Sequence, residues 1–157
     1  MGEMVPRIFH YLCYRVGAAQ LAEDLTSETF ERAWRKRHRY RREAGELSSW
    51  LFGIARRVAA ENARRTRREL RLGEELSQPR PNSPEEAAEK ASDFERLAKM
   101  LTQLPVRERE LIALKYGGGL TNRVIAKTTG LSESNVGTIL HRVVGRLRLQ
   151  WEDEHGG

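Results

Sequence analysis

The 157-residue sequence predicts an all-α fold: two small helical domains joined by a flexible linker, the second carrying a helix-turn-helix. Three observations predict it. Apolar residues recur at spacings of three and four, and runs alternating with period two are missing, which is the pattern of amphipathic helices and not of strands. Residues 76–89, LSQPRPNSPEEAAE, hold three prolines and no apolar side chain larger than alanine after Leu76, a linker composition. Residues 119–148, GLTNRVIAKTTGLSESNVGTILHRVVGRLR, read as two short helices around a tight turn. The resulting division is a first domain over 1–69, a linker over 70–92, a second domain over 93–150 and a tail over 151–157.

Each element follows from its own pattern. Residues 5–16 make a helix with Ile8, Phe9, Leu12 and Val16 as one apolar stripe. In a second helix, residues 22–37, Leu25, Phe30, Ala33 and Trp34 are expected to face inward, and Glu23, Asp24, Glu28 and Glu31 outward; its acidic start and basic end suit the helix macrodipole. After HRYRREAGE a third helix is expected to begin at Ser48 or Ser49 as N-cap. Its apolar face is Trp50, Leu51, Ile54, Val58 and Ala59, and residues 62–68 continue it as a basic tail. In the second domain Phe94, Leu97, Met100 and Leu101 mark one helix, Leu104-Pro105 break it, and residues 108–116 form another.

The helix-turn-helix follows. Its first helix covers 122–129, Gly130-Leu131-Ser132 make the turn, and the second helix starts at Glu133 with Ser132 as N-cap. Ala126 is small where two helices cross closely, and Gly130 can adopt the positive φ that the turn requires. Ile125, Leu131, Val136, Ile139 and Leu140 form the apolar side. In such motifs the start of the second helix meets base edges and its flanks meet phosphates. The outward candidates are Glu133, Ser134, Asn135, Thr138, His141 and Arg142, with Arg146 and Arg148 toward phosphates; Asn135 and Arg142 can form paired hydrogen bonds with adenine and guanine.

Charge narrows the function class. The net charge is +6, and residues 1–69 hold 15 Lys and Arg against 9 Asp and Glu, which favours a polyanionic partner. Cys13 is the single cysteine, so a disulfide framework or a cysteine zinc site within one chain is excluded. No run approaches the roughly 18 to 20 apolar residues needed to span a bilayer, and the start lacks a secretory-leader pattern; a cytoplasmic location is expected. His10, His38, His141 and His155 stand without clustered acids or a nucleophile, and the glycines at 117–119 lie between helices instead of after a strand. The expectation is therefore no catalysis, no cofactor and no metal.

Two basic clusters dominate the first domain: Arg32, Arg35, Lys36, Arg37, Arg39, Arg41 and Arg42, then Arg56, Arg57, Arg64, Arg65, Arg67 and Arg68. Trp34, Tyr40, Trp50 and Phe52 are interleaved with them. Basic groups beside stacking surfaces are what single-stranded nucleic acid requires, although Trp34, Trp50 and Phe52 could equally be core and the arginines a solvated face. AEDLTSETF is an acidic stretch within this basic domain, better placed to meet a protein than DNA.

Taken together, these segments resemble a bacterial sigma factor of the sigma-70 family, in its small two-domain extracytoplasmic-function (ECF) group, over about residues 5–150. RVGAAQLAEDLTSETFERAWR is similar to the part of region 2 that docks on the clamp helices of the RNA polymerase β′ subunit. The resemblance implies core polymerase contacts from Leu21, Asp24, Leu25, Ser27, Glu28 and Phe30. YRREAGELSSWLFGIARRVAAENARR is similar to the part that melts and captures the −10 element, implying DNA contacts from Arg39, Tyr40, Arg41, Trp50, Arg56, Arg57, Arg64 and Arg65. LTQLPVRERELIALKYGGGLT and NRVIAKTTGLSESNVGTILHRVVGRLR resemble region 4, which binds the −35 element and the β flap. There the implied contacts are Ser134, Asn135, Thr138, His141, Arg142 and Arg146. The partners so implied are RNA polymerase core, promoter DNA and an anti-sigma factor.

The chain departs from the family pattern at Ser27-Glu28, where Gln-Glu is common, at Arg57 and Glu61, where Asn and Asp are common, and at Gly137-Thr138-Ile139, where a Lys-Ser-Arg run is common. Family members also begin with about one more helix before the position of Val5. A second resemblance covers the C-terminal half alone. LPVRERELIALKYGGGLTN is similar to the DNA-binding domain of response-regulator (LuxR-like) activators, which would bind duplex DNA without being a sigma subunit.

Overall fold

In a computed structural model, residues 2–41, 46–73 and 93–155 are described. The expected linker over 70–92 lies almost wholly outside them, as do Arg42 and the last two residues of the tail. The described residues contain helices and turns and no strand. They form α1 (Met4–Val16), α2 (Ala19–Arg35), a 3-10 turn (Arg37–Arg39), α3 (Leu47–Arg71), α4 (Asp93–Thr102), α5 (Val106–Ile112), a π-turn (Ala113–Gly117), α6 (Asn122–Thr129) and α7 (Glu133–His155).

Local chemistry sets most of the boundaries. Gly17 ends α1 at φ 76°, donating its N–H to the Cys13 carbonyl, a left-handed position that glycine takes without steric cost. Thr121 caps α6 by accepting the Val124 N–H, and Gly130 closes it at φ 81°. Ser132 caps α7 by accepting the Asn135 N–H at 3.1 Å. The start of α3 differs from expectation. The helix begins at Leu47 with Glu46 in the extended N-cap conformation and no side-chain cap, so Ser48 and Ser49 fall inside its first turn. The Ser49 hydroxyl instead lies 3.4 Å from that of Thr128.

α1 is the hub. It packs on α2 and α3 and equally on α4, α5 and the π-turn of the second domain. One continuous apolar cluster therefore runs through both domains, from Ile8, Leu12, Leu25, Phe52 and Val58 to Leu101, Leu114, Ile125, Val136 and Val143. Tyr11 and Phe52 are fully buried at its centre and meet edge to face with centroids 5.6 Å apart, a geometry worth about 0.5–1.5 kcal/mol beyond area burial. Arg109 fastens α5 to the end of α4, donating to the carbonyls of Leu101, Thr102 and Leu104.

Trp34 corrects the reading of α2. It was expected to face inward but is 66% exposed. The buried stripe of α2 is Ala22, Leu25, Thr26, Thr29 and Ala33. One residue past Ala33 is a rotation of about 100°, which carries the indole out to solvent, where the Arg37 guanidinium covers it at 4.0 Å.

Candidate nucleic-acid interface

Three surfaces follow from these elements. The outer face of α2 carries Glu23, Asp24, Ser27, Glu31, Trp34 and Arg35, all exposed, at the spacing of one helical stripe. Of the residues proposed for polymerase contact, Asp24 and Ser27 lie on this stripe, while Leu21, Glu28 and Phe30 are half-buried at its edge. Leu25 is 2% exposed and belongs to the core, as its inward position in the helix pattern predicts and against the polymerase contact that the resemblance implies, because it lies three residues after Ala22 on the inward face. Trp34, outside the set proposed for polymerase contact, lies on the same exposed stripe; its one-residue offset from Ala33 was the available signal.

The second surface is α3. Arg57, Glu61, Arg64, Arg68 and Arg71 follow one another at three- and four-residue steps and are exposed, with exposed Arg65 beside Arg64, so they line one face about 21 Å long at 1.5 Å per residue. Near its end, Arg64, Arg67, Arg68, Leu70 and Arg71 enclose a shallow hollow. Arg39 and Arg41 are exposed, and Tyr40 and Trp50 are half-buried against each other, ring centroids 5.3 Å apart. Arg65 donates to the Asn62 side chain at 3.1 Å. Arg32 sits between this face and the α2 stripe, with one nitrogen 2.7 Å from Glu28 and 2.6 Å from Glu61. That pair holds the Glu61 carboxyl below its ordinary value, with the Arg32 hydrogen bond as the largest cause. Arg56 stands apart. It turns toward the second domain, donating to Glu110 at 3.0 Å and to the Thr128 carbonyl at 2.7 Å.

The third surface is the start of α7. Ser134, Asn135, Thr138, His141, Arg142 and Arg146 are all exposed. Ile139, by contrast, is 7% exposed and belongs to the core. Glu108 on α5 reaches across to two of these basic groups, Arg142 at 3.6 Å and Arg146 in closer contact. A Cβ at Gly137 would lie 3.6 Å from the Asn122 amide nitrogen, which is ordinary contact. Tyr14, Phe94, Leu97, Met100, Tyr116 and Trp151 line an apolar groove of about 510 Å³ between α1, α4 and α7. Among the described residues no group of three acidic, histidine or cysteine side chains could hold a metal ion, and no helix is long and apolar enough to cross a membrane.

The comparisons with known proteins match this layout domain by domain. The family model for Sigma-70 region 2 matches residues 2–69, and that for Sigma-70, region 4, matches residues 94–147. The chain belongs to the sigma-70 family. Within it, the relatives are ECF RNA polymerase sigma factors: BldN of Streptomyces coelicolor is 32% identical over 94% of this chain and 57% of its own length. SigL of Mycobacterium tuberculosis is 30% identical over 93% of this chain and 83% of its own. The chain thus spans little more than half of the first of these relatives and most of the second. In fold it is similar to the sigma factor RpoE of Bartonella quintana, solved in complex with the anti-sigma factor NepR, at TM-score 0.75 and 21% identity over 96% of this chain and 92% of that one. The region 2 match over the first half removes the LuxR-like alternative, which would put a receiver or sensing domain there. Sigma factors of this family direct transcription initiation.

Proposed function

We propose that the α2 stripe docks on the β′ clamp helices of RNA polymerase core through Asp24, Ser27, Trp34 and the half-buried Leu21, Glu28 and Phe30. The α3 face holds the melted −10 strand, and α7 reads the −35 duplex. The observation that carries this reading is the segregation of charge within one small domain. An acidic stripe with an exposed indole lies on α2, an arginine-rich face lies on α3, and Arg32 bridges them through Glu28 and Glu61.

A protein surface with opposite charge is the natural partner of the first. The second offers guanidinium groups to a phosphate backbone, with Tyr40 and Trp50 as stacking surfaces for unpaired bases. On α7, Asn135 and Arg142 can read base edges, with Ser134, Thr138 and His141 beside them and Arg146 toward phosphate. The apolar groove between α1, α4 and α7 suits the β flap, and an anti-sigma factor would cover the polymerase-binding surfaces. The chain acts in the cytoplasm and contributes binding and no catalytic step of its own.

Charge reversals separate the surfaces. Arg64→Glu with Arg65→Glu is expected to weaken promoter opening at least tenfold while core binding is kept. Asp24→Lys with Glu28→Lys should weaken core binding. Filter-binding to core and permanganate footprinting of the melted strand measure the two. Identical behaviour of the two pairs would contradict the division of surfaces.

A further inference from the structure

The helix-turn-helix presents its proposed DNA surface with part of its charge already cancelled. Its two helices carry five lysines and arginines: Arg123 and Lys127 on α6, and Arg142, Arg146 and Arg148 on α7. All five are exposed. Arg123, Lys127 and Arg148 form no ion pair among the described residues. Arg142 and Arg146 are tied to one carboxylate on α5. Glu108 Oε2 lies 3.6 Å from a terminal nitrogen of Arg142, and Oε1 is in closer contact with Arg146. Residues 133–141, at the start of α7, contain no lysine or arginine that could make up the lost charge.

The pairing is one-sided. The Glu108 side chain is 14% exposed, whereas those of Arg142 and Arg146 are 59% and 54% exposed. A pair with both partners in solvent is worth little and comes apart in salt. Here only the arginines are free to leave. α5 packs on α7, and Arg109, the next residue along, pins the α5 backbone by donating to the carbonyls of Leu101, Thr102 and Leu104. The carboxylate therefore stays beneath both arginines wherever they reach.

Two effects follow from that placement. Affinity for duplex DNA of any sequence comes from cations that neutralise phosphates and release counterions. Two arginines over one fixed anion supply one net charge to that term instead of two. Sequence, by contrast, is read at base edges. A guanidinium has five N–H donors, and each arginine meets Glu108 through one nitrogen, so both keep outward donors in a restricted orientation. A base edge accepts a guanidinium in one orientation and a phosphate accepts it in many, so restricting it helps only the first.

We propose that Glu108 is a positioning residue for Arg142 and Arg146: by holding and partly neutralising them it weakens the grip of α7 on DNA at large and favours sequence-dependent contacts. The inference rests on the reading of α7 as the duplex-binding helix. It accounts for an acid fixed beside two cations on a surface meant for a polyanion, where a neutral side chain would bind DNA more tightly.

The test uses the full chain. Glu108→Gln keeps the shape and removes the charge, and helical circular dichroism should be unchanged. Fluorescence anisotropy on a duplex of scrambled sequence should show binding tighter by about eightfold at ~0.1 M salt. A plot of log affinity against log salt should be steeper by about 0.9, the increment for one more neutralised phosphate. In transcription with RNA polymerase core, an excess of the scrambled duplex should depress promoter-directed starts by the variant roughly threefold more than by the wild type, the effect of ordering one side chain. Independently of Glu108, Arg142→Gln with Arg146→Gln should lower the salt slope by about 0.9, where two free arginines would lower it by about 1.8.

An unchanged slope in Glu108→Gln, promoter starts that resist the competitor as well as the wild type does, or a drop near 1.8 in the double arginine variant would each overturn the inference. Failure of the underlying reading has its own signature: the double arginine variant binds duplex and transcribes as the wild type does, which takes α7 off the DNA and the role of Glu108 with it.

Discussion

Trp34 concentrates what a single residue does here. An indole 66% exposed, on the same stripe as Asp24 and Ser27, has no structural use in the core. Large aromatics such as tryptophan are where interfaces concentrate binding energy, commonly about 2 kcal/mol or more per residue. Trp34→Ala is therefore expected to leave the melting temperature nearly unchanged while weakening core binding roughly thirtyfold, read by competition against a labelled sigma factor. Equal loss of stability and binding would return Trp34 to a packing role. The sequence showed the acidic stretch and the tryptophan, but their arrangement depends on a 100° step per residue, and the inward reading of Trp34 came from grouping it with Ala33. Leu25 carried two readings, inward from its periodicity and polymerase-facing from the resemblance, and the inward one holds: family resemblance marks a segment, whereas only the helix phase separates its buried residues from its exposed ones.

Among the elements, the helix-turn-helix was the most legible. Its bounds, the Ser132 cap, the positive φ of Gly130 and the buried Ile125, Val136, Ile139 and Leu140 all match the sequence expectation. Those features are local, and local chemistry is what a sequence states directly. Gly137 and Ile139, unusual positions for a DNA-reading helix, have separate explanations: Ile139 is core, and Gly137 fills no close contact that would exclude a methyl. Gly137→Ala in α7 should accordingly raise stability by about 1 kcal/mol, measured by urea denaturation. A destabilised variant would mean that Asn122, whose buried Oδ1 has no partner, needs the space. The start of α3 was less legible, because Ser48 and Ser49 look like caps and Glu46 does not. One signal was missed in α5: Glu108 and Glu110 look like two ordinary acids of a polar helix face. The first pairs with Arg142 and Arg146 of α7, and the second crosses to the other domain.

At the scale of the whole molecule, the sequence spoke for two domains and could not show that they share a core. That information is carried by contacts such as Tyr11 with Glu110, 99 residues apart, and Gly117 against His10, which no periodicity reveals. The glycine run at 117–119 was visible as an oddity between helices; its use becomes clear only once α1 lies against it. Taken together, the acidic α2 stripe, the arginine face of α3 and the exposed start of α7 describe a protein that works as part of a larger assembly. On the proposed reading, tethering to polymerase would supply α7 with an effective concentration that few phosphate contacts alone need not provide. The most direct test mixes the chain with RNA polymerase core on a pool of genomic fragments and sequences the 5′ ends of the transcripts. The account predicts discrete starts that share −10 and −35 sequences and appear only when both components are present. A chain that shifts duplex DNA alone while core produces no discrete starts would contradict it.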